Sequence, residues 1–139
     1  MRLTIHTDGG SLNNPGPAAC SYVISGTRGA IIEKESFFLG VQTNNVAEYS
    51  GIKNALVAIL RLKKSFPISS LSFVSDSLLV VNQLNGLYKV KNERIREFVF
   101  EIRSLEQQIG VPINYRHVLR ELNQHADDLV KECLFSHHS

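Results

Sequence analysis

The stretch LTIHTDGGSLNNPGP, Leu3 to Pro17, decides how the chain is read. Leu3 to Thr7 is rich in β-branched and apolar side chains and predicts a strand. The strand delivers Asp8 into a predicted turn of Gly9, Gly10, Ser11, Asn13, Asn14, Pro15 and Gly16. Paired glycines permit positive φ and let a second backbone approach closely. A carboxylate at a strand end would then lie beside a run of amides able to face a polyanion. An Asp-Gly hairpin turn with no further role is the competing reading of this fragment. The other acids of the chain decide between the two.

Working outward, Ala18 to Ser25 and Ala30 to Leu39 read as two more strands joined by a hairpin loop, Gly26 to Gly29. A helix is expected from Asn44 or Asn45 to about Lys64, with Ile52, Ala55, Leu56, Ile59 and Leu60 at helical spacing. Glu48 lies on that stripe one turn before Ile52. A carboxylate facing a core needs a partner for its charge, unless it serves only the helix dipole. Ser69 to Ser75 is a fourth strand ending at Asp76, followed by a short helix from Ser77 to Asn85 and a stop at Gly86. Asp76 is either the cap of that helix or a carboxylate at the carboxyl end of a strand, where open α/β sheets bind ligands.

Asn92 caps a second long helix ending at Gly110, with Ile95, Phe98, Val99, Ile102, Leu105 and Ile109 as its stripe. Lys89 and Lys91 precede it, and with Arg94, Arg96 and Arg103 they form either a solvated face or a phosphate-binding patch. Val111 to Val118 is a fifth strand, Leu119 to Leu122 a connector, and Asn123 opens the last helix. At about 100° per residue, Asp127 borders its apolar stripe and Asp128 points away. Phe135 to Ser139 is expected to fray as a short tail outside a domain of residues 1–134.

The bulk numbers fit one globular domain. The chain has 139 residues, 43% hydrophobic and 20% charged, with a net charge of +2. A nucleic-acid partner is permitted, provided its basic surface is local. No run of about 18 apolar residues is present, so no membrane span is expected. The start methionine leads directly into a strand without an apolar leader, which points to the cytoplasm, or to a piece of a larger cytoplasmic chain. Cys20 and Cys133 sit in apolar stretches and are expected as buried thiols rather than a disulfide.

Asp8, Glu48, Asp76 and Asp127 are thus placed at strand ends and on helix faces of one sheet. Four converging carboxylates repel one another unless protons or cations neutralise them. A hard oxygen donor set without clustered Cys or His selects Mg²⁺, with Mn²⁺ close behind. Two such ions about 4 Å apart clamp the attacking and leaving oxygens of a phosphodiester.

Five segments carry a resemblance: TDGGSLNNPGPAA (Thr7 to Ala19), TNNVAEYSGIKNAL (Thr43 to Leu56), SDSLLVVNQLNG (Ser75 to Gly86), YKVKN (Tyr88 to Asn92) and RELNQHADDLV (Arg120 to Val130). In their order and distances they resemble type I ribonuclease H over nearly the whole chain. The resemblance implies an α/β fold with a mixed five-stranded sheet in the order 3-2-1-4-5, flanked by helices. It implies Asp8, Glu48, Asp76 and Asp127 as catalytic metal ligands, and hydrolysis of the RNA strand of RNA–DNA hybrids to 5′-phosphate and 3′-hydroxyl ends. It implies that Gly9, Gly10, Ser11, Asn14, Asn44 and Asn45 read RNA 2′-hydroxyls across the minor groove, with Thr43 at a DNA-strand phosphate. Helix capping competes as the role of Asn44 and Asn45. Two departures stand out. The Lys- and Trp-rich protrusion of many members is missing, which leaves hybrid binding to Lys89, Lys91 and nearby bases. The connector before the last helix lacks the family's mobile histidine, leaving His117, His125, Arg120 or Glu121 as substitutes. A monomer is expected. Another nuclease on the same scaffold, a hybrid-binding module without catalysis and a domain of a polymerase-like protein are the rivals.

Overall fold

The computed structural model describes residues 1–138. Five strands, β1 (Arg2–Ser11), β2 (Gly16–Ser25), β3 (Ile31–Gln42), β4 (Ser70–Ser75) and β5 (Ile113–His117), form one sheet in the order β3-β2-β1-β4-β5. The first three are an antiparallel meander, and β4 and β5 run parallel to β1. The sheet is therefore mixed and matches the expected order.

Four helices flank it: α1 (Asn44–Leu62), α2 (Leu78–Leu84), α3 (Glu93–Ile109) and α4 (Gln124–His138). Leu3, Ile5, Leu71 and Phe73 share a core with Ile52, Leu56 and Ile59 of α1 and with Ile95, Ile102 and Ile109 of α3. Alternation along β2 assigns α4 to the other face. Cys20 touches Asn54 of α1, while its neighbour Ala19 packs with Val130, Cys133 and Leu134 of α4. A strand covered on both faces reads as a nearly continuous apolar run, and β2 is buried along almost its whole length. Cys20 and Cys133 are both buried and free. No helix among the described residues is long and apolar enough to cross a membrane.

Three boundaries differ from the sequence reading. β1 does not stop at Asp8 but continues through Gly9, Gly10 and Ser11, paired with β2 as far as Ala18. The turn falls instead around residues 12–15, closed by Leu12 N donating to Pro17 O at 2.9 Å. Gly9 serves packing rather than turning: a Cβ there would lie 2.3 Å from Ala47 C and 2.5 Å from Glu48 N. β3 runs on to Gln42. The last helix persists through Phe135, Ser136 and His137 where a frayed tail is expected. Its final turn is held by the His137 ring stacked on Phe38 at 4.5 Å and by a 2.9 Å contact from His137 Nδ1 to Cys133 O. Ser139 lies outside the described residues.

Candidate active site

The site forms just beyond the end of the β1–β4 pairing, beneath the start of α1. The parallel register ends at the pair His6–Val74, and Asp8 and Asp76 lie two residues further along each strand. A period of two puts both carboxylates on the same face. Asp8 remains within β1, opposite Ser21, and Asp76 follows the last residue of β4.

Glu48 arrives from the other side. α1 crosses β1 and β2 at close range because both contact points are glycines. Gly9 lies under Ala47, and a Cβ on Gly51 would lie 3.0 Å from Asp8 O and 3.2 Å from Ser21 O. This approach brings Glu48 to the strand carrying Asp8. Ligand atoms of Asp8, Glu48 and Asp76 all lie within 4.8 Å of one another.

Asp127 comes from the first turn of α4, on the face toward which Asp8 points. Asn123, just ahead of that helix, is buried and donates from Nδ2 to Thr7 O at 2.8 Å, tying the helix start to β1. Asp127 is buried, while Asp128 is exposed. Asp127 lies beside Asp8 and also pairs with Lys131 Nζ at 2.9 Å. It borders the three-carboxylate cluster and is not one of the three.

The electrostatics are those of an unneutralised cluster. Burial, then the charges of Asp76 and Asp127, push the Asp8 carboxyl up to about 8. Burial, then Asp8 and Asp76, push Glu48 well above the usual carboxylate range. Glu48 Oε2 and Asp76 Oδ2 are buried without a hydrogen-bond partner. Arg120 Nε approaches Asp76 Oδ2 only to 3.5 Å, and its side chain is otherwise exposed. Orphaned buried carboxylate oxygens from three elements, with no imidazole or thiolate among them, fit a hard divalent cation such as Mg²⁺ or Mn²⁺.

Two clefts meet at this place. One, of about 400 Å³, is lined by Asp8, Gly10, Ser11, Asn44, Glu48 and Asp76, with Gly9, Asn45, Asp127, Ser77 and Arg120 also on its wall. The other, of about 530 Å³, is lined by Asn14, Thr43, Asn45, Asn92 and Arg94 among others. Lys89 and Lys91 are exposed in the segment between α2 and α3 and line neither cleft. His117 and His125 also line neither cleft.

The capping readings resolve differently from expectation. Thr43, not Asn44 or Asn45, caps α1, its Oγ1 accepting from Val46 N at 3.2 Å. Ser77, not Asp76, caps α2. The acid and both asparagines are thereby released for other work. Gly51 and Asn123 are the positioning residues that sequence reasoning passed over. A glycine inside a strong helical stripe is a usable signal of close approach. The bond from Asn123 to Thr7 spans most of the chain and leaves no local trace.

The match to known proteins follows this geometry. The family model described as reverse transcriptase-like matches residues 6–133. Ribonuclease HI of Halobacterium salinarum is 34% identical over 134 residues, covering 96% of this chain and 64% of that protein. The bifunctional protein Rv2228c of Mycobacterium tuberculosis is 33% identical over 135 residues, covering 96% of this chain and 36% of its own length. The chain thus spans about a third of that longer relative. A crystal structure of LC11-RNase H1 in complex with RNA/DNA hybrid superimposes with a TM-score of 0.93 at 33% identity, covering 99% of each chain. Fold and acidic cleft together define a ribonuclease H-like domain. The chain belongs to the reverse transcriptase-like family of such domains.

Proposed function

We propose that this protein is an endonuclease that hydrolyses the RNA strand of RNA–DNA hybrids, using two divalent ions, Mg²⁺ or Mn²⁺. The observation that carries the reading is the set of three carboxylates from β1, α1 and the end of β4, with ligand atoms within 4.8 Å and two buried oxygens unpartnered. Binding alone would gain nothing from such repulsion, which argues against a non-catalytic module. The relatives named ribonuclease HI and RNase H1, the latter complexed with RNA/DNA hybrid, support the substrate class.

In this reading Asp8, Glu48 and Asp76 hold the ions, with Asp127 completing the set beside Asp8. Bound there, the ions would activate water and neutralise charge on the departing oxygen. The water oxygen joins phosphorus as the water gives up a proton, and the P–O3′ bond breaks as the departing oxygen gains one, leaving a 5′-phosphate and a 3′-hydroxyl. Asp8 and Glu48 must shed the protons that burial favours before they can act as ligands. Gly9, Gly10, Ser11, Asn14, Asn44 and Asn45 face the minor groove, where a 2′-hydroxyl distinguishes RNA from DNA. Thr43, with Asn92 and Arg94 in the same cleft, meets a backbone phosphate. Lys89 and Lys91 add long-range attraction. Arg120, which lines the acidic cleft 3.5 Å from Asp76, assists turnover in place of the family's histidine. The protein acts as a monomer in the cytoplasm.

A panel of labelled RNA–DNA hybrid, duplex RNA, duplex DNA and a four-way junction, each with Mg²⁺, Mn²⁺ or EDTA, tests the reading. Metal-dependent cutting of the hybrid's RNA strand alone is expected. Hybrid left intact in both metals, or a junction cut in preference, would overturn it.

A further inference from the structure

Between the two clefts runs a ridge of three polar side chains. Ser11 N and Ser11 Oγ both donate to Asn44 Oδ1, at 2.9 and 3.0 Å. Asn44 N in turn donates to Asn14 Oδ1 at 2.9 Å. Ser11 belongs to β1, Asn44 opens α1, and Asn14 lies in the β1–β2 turn. Ser11 and Asn44 line the acidic cleft, and Asn14 lines its neighbour.

A backbone N–H can only donate, so the atom facing it must be an acceptor. Ser11 N therefore fixes Asn44 with its oxygen turned inward and its NH₂ turned out. Asn44 N fixes Asn14 in the same way. Asn44 N is one of the helix-start donors that lack an intrahelical partner, so Asn14 satisfies a group that would otherwise need water. Among the described residues neither Nδ2 has a hydrogen-bond partner. The outward Nδ2 groups of Asn44 and Asn14 are donors only, before any ligand arrives.

We propose that Ser11 is a positioning residue that locks the Asn44 amide in one of its two flips, so that Asn44 and Asn14 recognise nucleic acid through acceptor oxygens alone. The inference rests on the hybrid-cleavage reading and adds to it the direction of the hydrogen bonds. On the RNA strand the acceptors are 2′-oxygens. A donor pair held ready loses little side-chain entropy on binding. A freely flipping amide would present donor and acceptor alternately and discriminate less.

The test is the Kd of a fluorescein-labelled RNA–DNA hybrid and of the matching DNA duplex, by anisotropy, alongside kcat and KM for hybrid cleavage. Asn44→Asp keeps an oxygen toward Ser11 and turns the outward donor into an acceptor. Hybrid affinity is expected to fall about tenfold more than duplex-DNA affinity, the DNA arm measuring the added charge alone. Ser11→Ala, which keeps the N–H but removes the hydroxyl, should weaken hybrid binding about threefold and raise KM more than it lowers kcat. Ser11→Thr should restore it. Equal losses on hybrid and DNA for Asn44→Asp, or Ser11→Ala with wild-type KM, would overturn the inference. Wild-type protein that binds hybrid but does not cut it would overturn the catalytic reading alone, and the Kd series would still decide this one.

Discussion

Two carboxylate sites in this molecule have opposite characters. At the far end of α3, Glu106 accepts from the Tyr115 hydroxyl at 2.5 Å and from Arg103 Nη1 at 3.1 Å, while Arg103 Nη2 also reaches Leu84 O. Asn85 Nδ2 donates to Tyr115 O at 3.0 Å and closes the network against β5. There every charge has a partner. In the acidic cleft Glu48 and Asp76 keep orphaned oxygens, and Asp8 holds its proton far above the usual range. A satisfied charge network specifies and stabilises a fold. An unsatisfied one is stability given up for a ligand.

The largest expected effect breaks the cleft. Asp76→Asn should lower hybrid cleavage by about a thousandfold or more, equivalent to roughly 4 kcal/mol of transition-state stabilisation, with an unchanged circular dichroism spectrum. Glu106→Ala probes the other side of the comparison. It strands Arg103 and the Tyr115 hydroxyl, and urea unfolding should show a loss of about 2–3 kcal/mol. In the metal-free protein Asp8→Asn should do the reverse and raise Tm at pH 8, because it removes a charge the fold opposes.

The pH dependence sharpens the same contrast. The folded state raises the Asp8 pKa from an ordinary carboxylate value to about 8, so it binds more protons than the unfolded chain between those limits. Its favourable contribution is complete below the unfolded value and is lost as pH rises through about 8. Glu48 is shifted the same way. Melts of metal-free wild type should therefore fall in Tm from pH 5 to pH 8.5, and those of Asp8→Asn should fall less. Metal affinity should rise over the same interval, since each ligand must lose its proton.

A smaller effect tests how the cleft is assembled. Gly9→Ala places a methyl against the backbone of Ala47 and Glu48, whereas Gly10→Ala meets nothing within 4 Å. The first should destabilise by roughly 2 kcal/mol and the second should leave Tm close to wild type, as read by thermal melts.

Much of this was legible in the residues. Alternation and helical spacing placed five strands and four helices in order, and the angular argument separated Asp127 from Asp128. The glycines after Asp8 misled, because their pattern fits a turn while Gly9 admits α1 and Gly10 simply extends the strand. Thr43 was read as a phosphate contact, and its hydroxyl also caps the helix, leaving Asn44 free to be held by Ser11. The meeting of Glu48 with Asp8 depends on Gly9 admitting Ala47 and on Gly51 admitting the backbone of Asp8 and Ser21, and the seating of α4 on Asn123 reaching Thr7. Such contacts between distant positions follow from packing and have no local signature.

The central claim is that the carboxylates of β1, α1 and the end of β4 are held together for a dication. Calorimetric titration of Mn²⁺ into wild type and Asp8→Asn at pH 7.5, in two buffers of different ionisation enthalpy, tests it most directly. Wild type should bind with release of protons, and Asp8→Asn should bind far more weakly and release fewer. Equal affinity and equal proton release in the two proteins would contradict it.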